Sequence, residues 1–133
     1  MIKFYAHRAK NNHSFKENSK QAILNILNKD YISGIELDIR LTKDKKIVVY
    51  HNPVIKIKDE IKVISDTNLI NLVKANIYTL NEVLSNIVTD KIILLEIKYE
   101  NKFNKNDIDI IINEIKKLSN LNIYVCSFTY SKE

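Results

Sequence analysis

Four short apolar runs in this chain each finish in ionisable side chains, and no other feature constrains the fold as strongly. They are IKFYAH (2–7), GIELDIR (34–40), KIVVYH (46–51) and KIILLEIK (91–98), and a fifth apolar run, NIYVCSF, covers 122–128. The segments between them carry helical spacing. Short apolar runs alternating with that spacing predict an α/β fold of βα units around a parallel sheet. At the C-terminal edge of such a sheet, open or closed into a barrel, ligands bind.

The helical segments have start and stop signals. ENSKQAILNILNK offers Asn18 or Ser19 as a cap, with Ala22, Ile23, Ile26 and Leu27 as the apolar stripe. TLNEVLSNI carries a capping box, Thr79 with Glu82 three residues on. In NDIDIIINEIKKL the residues Ile108, Ile111, Ile112, Ile115 and Leu118 share one face, and Lys116 and Lys117 suit the C-terminal end. Residues 53–78 are less regular, and a loop with a short helix around DTNLINLVK is expected there, entered through Pro53.

Composition narrows the function classes. With 133 residues, 45% of them hydrophobic and 28% charged, the chain suits one soluble domain with its own core. The net charge of +5 is spread among acidic residues, with no basic helix and no aromatic-interleaved patch. A phosphate-bearing ligand suits that field; a nucleic-acid partner is not expected. No apolar run reaches the roughly 18 residues of a membrane span, and the start lacks a signal-peptide layout, so a cytoplasmic location is expected. Cys126 is the single cysteine, without a partner for a disulfide or a zinc site, and is expected to be a buried, inert thiol.

Strand parity groups the polar residues. Glu36 and Asp38 share a face of GIELDIR, as do Glu96 and Lys98 of KIILLEIK, while His7 and His51 end their runs. A lone histidine at a strand end or a single carboxylate pair is ordinary. Three carboxylates, two imidazoles, an arginine and a lysine on one rim are not, because each unpaired buried ion costs several kcal/mol. A hard divalent cation compensates such a cluster. The all-oxygen set Glu36, Asp38 and Glu96 suits Mg²⁺ or Ca²⁺ rather than zinc. Arg8 and Lys98 are then placed to hold an anion, and the two histidines to transfer protons near neutral pH. Together these parts describe phosphoester chemistry.

These residues also resemble a known family, the glycerophosphodiester phosphodiesterases. AHR followed by ENS resembles its HRG…PENT opening, and IELDIRLTKDKKIVVYHNP resembles its E-x-D…T-x-D-G…V-V-x-H-D stretch. IYTLNEVL, LLEIK and VCSF follow in the family's order, so the resemblance spans essentially the whole chain. It implies the first half, about four βα units, of a TIM (β/α)8 barrel. It further implies hydrolysis of glycerophosphodiesters to an alcohol and glycerol 3-phosphate with a divalent metal. Carried over, Glu36, Asp38 and Glu96 are metal ligands, His7 and His51 the acid and base, and Arg8 and Lys98 phosphate ligands. Glu17 and Asn18 match the ENT positions and are expected to shape the loop beside the metal, whereas His13 matches no motif position.

Three positions depart from the family pattern: Ala9 for the glycine after HR, Asn52 for the aspartate after the second histidine, and Lys45 for a turn glycine. Ala9 implies a backbone that avoids the glycine-only region; Lys45 implies a strained turn. A complete (β/α)8 barrel has about 250 residues, so a half-barrel is expected, with two open strand edges and an uncovered apolar face. A truncated product is one expectation, and completion by a second copy or another chain is the other. The competing functions are a non-catalytic metal- and phosphate-binding module and a related phospholipase-type phosphodiesterase.

Overall fold

The computed structural model describes residues 1–10, 14–98 and 103–128; His13 lies outside them. Four parallel strands stand in chain order across one sheet: β1 (Tyr5–Ala6), β2 (Gly34–Leu41), β6 (Ile92–Ile97) and β7 (Asn122–Cys126). Register runs unbroken from Gly34↔Ile92 to Ile39↔Ile97, and from Ile92↔Asn122 to Glu96↔Cys126. Helices α1 (Lys20–Leu27), α3 (Leu80–Leu84) and α4 (Lys105–Lys116) supply the crossovers.

The run at 46–51 departs from the expected parallel sheet. Its strand, β3 (Ile47–Val49), pairs antiparallel with β2, Ile39↔Val49 through Leu41↔Ile47. The reason lies in lengths. β1 covers β2 only at Gly34 and Ile35, so the far part of that same edge is free, and the five-residue turn 42–46 folds β3 back along it. That turn is held by the Thr42 hydroxyl, which accepts from the Lys46 N–H at 2.9 Å. Lys45 takes a φ of 60° in it.

A second hairpin escaped the sequence reading. β4 (Val54–Ile57) and β5 (Glu60–Val63) pair antiparallel across a two-residue turn. Both turn residues, Lys58 (φ 47°) and Asp59 (φ 63°), are left-handed, the geometry that twists correctly for a hairpin and is normally signalled by Asn-Gly. With Lys-Asp there, the signal is missing. The short helix expected nearby is α2 (Leu69–Val73), and the Asp44 carboxylate of the 42–46 turn accepts its Leu69 N–H at 2.9 Å.

The core lies between the sheet and the helices. Ile35, Leu37, Ile39, Ile93 and Leu95 are all at most 1% exposed and pack with Ala22, Ile23 and Ile26 of α1, Val83 and Leu84 of α3, and Ile111 of α4. A satellite core of Val48, Ile64, Leu72 and Ile77 anchors the β4–β5 hairpin region. Ser19 caps α1, accepting from the Ala22 N–H, and capping boxes open α3 (Thr79/Glu82) and α4 (Asn104/Asp107). The expected α4 stripe is only partly buried. Ile111 and Leu118 are covered and Ile115 half-covered, but Ile108 (37%) and Ile112 (42%) face solvent. The helix meets the sheet along one line, and no described element covers its other flank.

The opposite sheet face is also uncovered. Ile92 and Leu94 are half-buried and Tyr124 is 60% exposed, while Tyr5 at one sheet edge remains exposed. The described residues thus form an open half-barrel. No helix among the described residues is long and apolar enough to cross a membrane.

Two substitutions test this packing. A Cβ on Gly34 would stand 2.3 Å from the Ile92 carbonyl oxygen and 2.8 Å from the Tyr5 ring, so Gly34→Ala is expected to destabilise the fold by about 1–3 kcal/mol, measured by urea denaturation. Lys45→Gly relieves the left-handed φ but removes the ammonium 2.7 Å from Asp107, which is 1% exposed. That ammonium, with the Asn104 N–H, holds the Asp107 pKa below its usual value, so it contributes stability above the unfolded carboxyl pKa and loses it as pH falls through the folded one. Lys45→Gly is therefore expected to lower the melting temperature at pH 7, the deficit shrinking as acid protonates Asp107.

Candidate active site

β2 builds the site. Its odd residues face the helices, so Glu36, Asp38 and Arg40 share the other face, and β6 presents Glu96 beside Asp38 in register. One oxygen from each of Glu36, Asp38 and Glu96 lies within 4.8 Å of the other two. Asp38 is fully buried and Glu36 is 9% exposed.

Each charge has an assigned partner. Lys98, just past β6, places Nζ 3.0 Å from Asp38 Oδ1 and 2.6 Å from Glu96 Oε1. Burial pulls the Lys98 pKa down, but the two carboxylates outweigh it and raise it overall. Asn18 donates Nδ2–H to Asp38 Oδ2 (3.0 Å) and accepts the Asp38 N–H at Oδ1 (3.3 Å). Arg8 places Nε 3.6 Å from Asp38 Oδ2 and Nη1 3.2 Å from Glu17 Oε1. Its backbone N–H donates to Glu36 Oε2 at 2.8 Å.

That last bond requires an unusual backbone. Arg8 (φ 54°) and Ala9 (φ 49°) are both left-handed, within a 3-10 turn, His7–Ala9. The expectation that Ala9 avoids the glycine region is therefore overturned. Two successive left-handed residues swing the chain so that the Arg8 amide meets Glu36. An alanine endures the position at a cost of roughly 1–2 kcal/mol, and its methyl is fully buried.

The two histidines reach β2 from opposite directions. His7 follows β1 up the sheet and sets Nε2 3.8 Å from Glu36 Oε2, with its side chain 70% exposed. His51 follows β3 down the same edge, where the Tyr50 N–H donates to the Asp38 carbonyl at 3.0 Å. The Asn52 Oδ1 lies 2.8 Å from His51 Nδ1. An amide oxygen only accepts, so Nδ1 carries the proton, and Asn52 retains an orienting contact without the carboxylate charge. The structure thus brings His7, Arg8, Glu17, Asn18, Glu36, Asp38, Glu96 and Lys98 into one contact network and joins His51 to it through the backbone.

Arg40 was missed in sequence. Its Nε and Nη2 donate to the His51 carbonyl at 3.0 and 2.6 Å, and the residue is 8% exposed. The signal was its parity, two residues beyond Asp38 on the same face; the antiparallel return of β3 that gives it a partner was not readable. A cleft of about 760 Å³ is not lined by Glu36, Asp38 or Glu96. It lies behind Glu17 and Asn18, against Phe15, Tyr50 and Tyr78.

The cluster suits a hard cation. Glu36 Oε1 is buried without a hydrogen-bond partner, an atom that a metal would satisfy, and the donors are all oxygens. Burial, and then the Asp38 and Glu96 charges, raise the Glu36 pKa against the opposing Arg8 N–H and His7.

A sheet of parallel βα units with a carboxylate cluster at its C-terminal rim defines the chain as a portion of a barrel-type α/β protein, the class whose active sites lie at that rim. The match to a family model is specific: residues 7–129 fit the glycerophosphoryl diester phosphodiesterase family, and the chain belongs to it. A Mycoplasma genitalium relative, the uncharacterized protein MG385, is 33% identical over 75% of this chain and 44% of its own length. Among solved structures, the Thermotoga maritima glycerophosphodiester phosphodiesterase is 28% identical with a TM-score of 0.72, covering 96% of this chain and 55% of that one. An Oleispira antarctica phosphodiesterase, solved with its product sn-glycerol-3-phosphate, is 22% identical with a TM-score of 0.75 and shares the fold over 97% of this chain and 58% of that one. The chain thus spans little more than half of these solved proteins, and less than half of the curated relative.

The raised Glu36 pKa yields a test that needs no ligand. An acid whose folded pKa is raised contributes stability below its unfolded pKa and loses it as pH rises through the folded value. Without divalent cations, Glu36→Gln is expected to melt higher than the parent at pH 7–8, with the two converging near pH 4. A lower melting temperature at pH 8 would show that Glu36 is structurally required as a carboxylate.

Proposed function

We propose that this chain carries the catalytic groups of a metal-dependent phosphodiesterase that hydrolyses glycerophosphodiesters to an alcohol and glycerol 3-phosphate. The observation that carries the reading is the trio of carboxylate oxygens within 4.8 Å, with Glu36 Oε1 buried and unbonded. Glu36, Asp38 and Glu96 would hold Mg²⁺ or Ca²⁺. Bound there, the cation supplies Lewis acidity toward phosphate oxygens.

The chain's own groups do the rest. Arg8 and Lys98 bind phosphate oxygens, their ion pairs with Asp38 and Glu96 fixing their heads at the rim. In the first step the glycerol 2-hydroxyl attacks phosphorus, the bond to the alcohol breaks, and a cyclic phosphate forms. One histidine takes the hydroxyl proton and the other delivers a proton to the leaving alcohol. Water then opens the ring with the roles exchanged. His7 is exposed with its Nε2 beside Glu36, and His51 is held by Arg40 and Asn52; an imidazole in either place exchanges protons near neutral pH. Glu17 and Asn18 position Arg8 and Asp38.

A second reading, a cation- and phosphate-binding module without turnover, is favoured by the uncovered face of Leu94 and Tyr124 beneath the site. In the enzyme reading, further strands along β1 and β7 supply that wall.

Hydrolysis of glycerophosphocholine with Mg²⁺ or Ca²⁺ separates the two. Activity is expected to vanish with EDTA and with Glu36→Gln, and to fall by about 10²–10⁴ with His7→Ala. Turnover that ignores chelation and both substitutions would sink the site; cation binding without turnover would establish the module.

A further inference from the structure

Cys126 was expected to be buried and inert, yet it is partly exposed and stands at the cation site. β7 pairs with β6 so that Cys126 is opposite Glu96, and β6 pairs with β2 so that Glu96 is opposite Asp38. Partners in parallel register point to the same face. Asp38, Glu96 and Cys126 therefore form one row across three adjacent strands, at the level of the rim. The electrostatics agree with that placement: after burial, the Glu96 and Glu36 charges are the largest influences raising the thiol pKa, and Lys98 opposes them. A separate feature, on β2 two strands from Cys126, points to a ligand in the carboxylate cluster that this row borders. Glu36, itself 9% exposed, keeps Oε1 buried and without a hydrogen-bond partner.

We propose that Cys126 is a modification site in the wall of the cation centre, at which a mixed disulfide with a small thiol closes the centre. The inference rests on the cation reading above. The chemistry is thiol–disulfide exchange with a small-molecule disulfide as oxidant. The Cys126 sulfur, having lost its proton to solvent, attacks one sulfur of the disulfide. A protein–S–S bond forms, the reagent's S–S bond breaks, and one thiolate leaves and takes up a proton. The attached group then occupies the row beside Glu96, where a cation and its phosphate ligand must fit. A thiol reductant reverses the step.

The wall position also decides which way the coupling runs. A cation held by Glu36, Asp38 and Glu96 would stand in the row beside Cys126 and hinder a reagent approaching the sulfur. Occupancy therefore protects the thiol, and modification excludes the cation.

Because the chain has a single cysteine, any thiol reaction reports on this position alone. Mn²⁺ serves as the probe cation, its binding read by electron paramagnetic resonance, and neutral 4,4′-dithiodipyridine as the disulfide, its reaction read by absorbance. Saturating Mn²⁺ is expected to slow the thiol reaction severalfold. The adduct is expected to weaken Mn²⁺ binding by about tenfold or more, as displacement of groups around a metal does, with recovery on reduction. In Cys126→Ser, the reagent should leave that variant's Mn²⁺ affinity where it was. Mn²⁺ binding with an unchanged thiol rate and an unchanged affinity of the adduct overturns the proposal and leaves the cation reading standing. Absence of any Mn²⁺ binding removes the cation reading, and this proposal with it.

Discussion

Asp38 is fully enclosed on the central strand, and a carboxylate there has to be met by donors. An unpaired buried ion costs several kcal/mol, so the segments around β2 are arranged to supply them. Asn18 comes from the loop before α1, Arg8 from the turn after β1, and Lys98 from the end of β6. None belongs to β2. Those three contacts tie the β1–α1 connection and the β6 terminus to one carboxyl group, so the polar network helps set where each segment ends.

The strain is located where that network is tightest. Arg8, Ala9 and Asn18, with φ of 54°, 49° and 57°, are left-handed residues without glycine at the site. Backbone held in sparsely populated regions persists when surrounding contacts over-determine it. Here the contacts are the Arg8 N–H to Glu36, the Asn18 amide to Asp38, and the Asn18 N–H to the Arg8 carbonyl at 2.8 Å. The chain has one glycine, and it serves packing instead, at Gly34 where β1 and β6 close on β2.

Much of the fold was legible because its signals are local. Parity placed Glu36 with Asp38 and Ile35 with Leu37; the Thr79/Glu82 pair marked α3; the terminal ionisable groups marked the rim. What was not legible depended on partners far along the chain. The direction of β3 follows from how little of β2's edge β1 covers. The β4–β5 hairpin turns on Lys58 and Asp59, residues that carry no turn signature. Ile108 and Ile112 belong to the apolar stripe of α4 but stay 37% and 42% exposed among the described residues. Arg40 has the same parity as Asp38, and its partner is the carbonyl of His51.

By itself, the sequence determined which residues share a strand face, where the helices start, and which chemical groups crowd the rim, because backbone periodicity and capping act over a few residues. Tertiary structure alone decided how those groups pair. Asp38, Glu96 and Cys126 stand in one row because two parallel registers align, and register depends on the packing of Ile35, Leu37, Ile93 and Leu95 against three helices. The left-handed turn at Arg8 and Ala9 is likewise held because a buried Glu36 accepts the Arg8 amide that the turn presents.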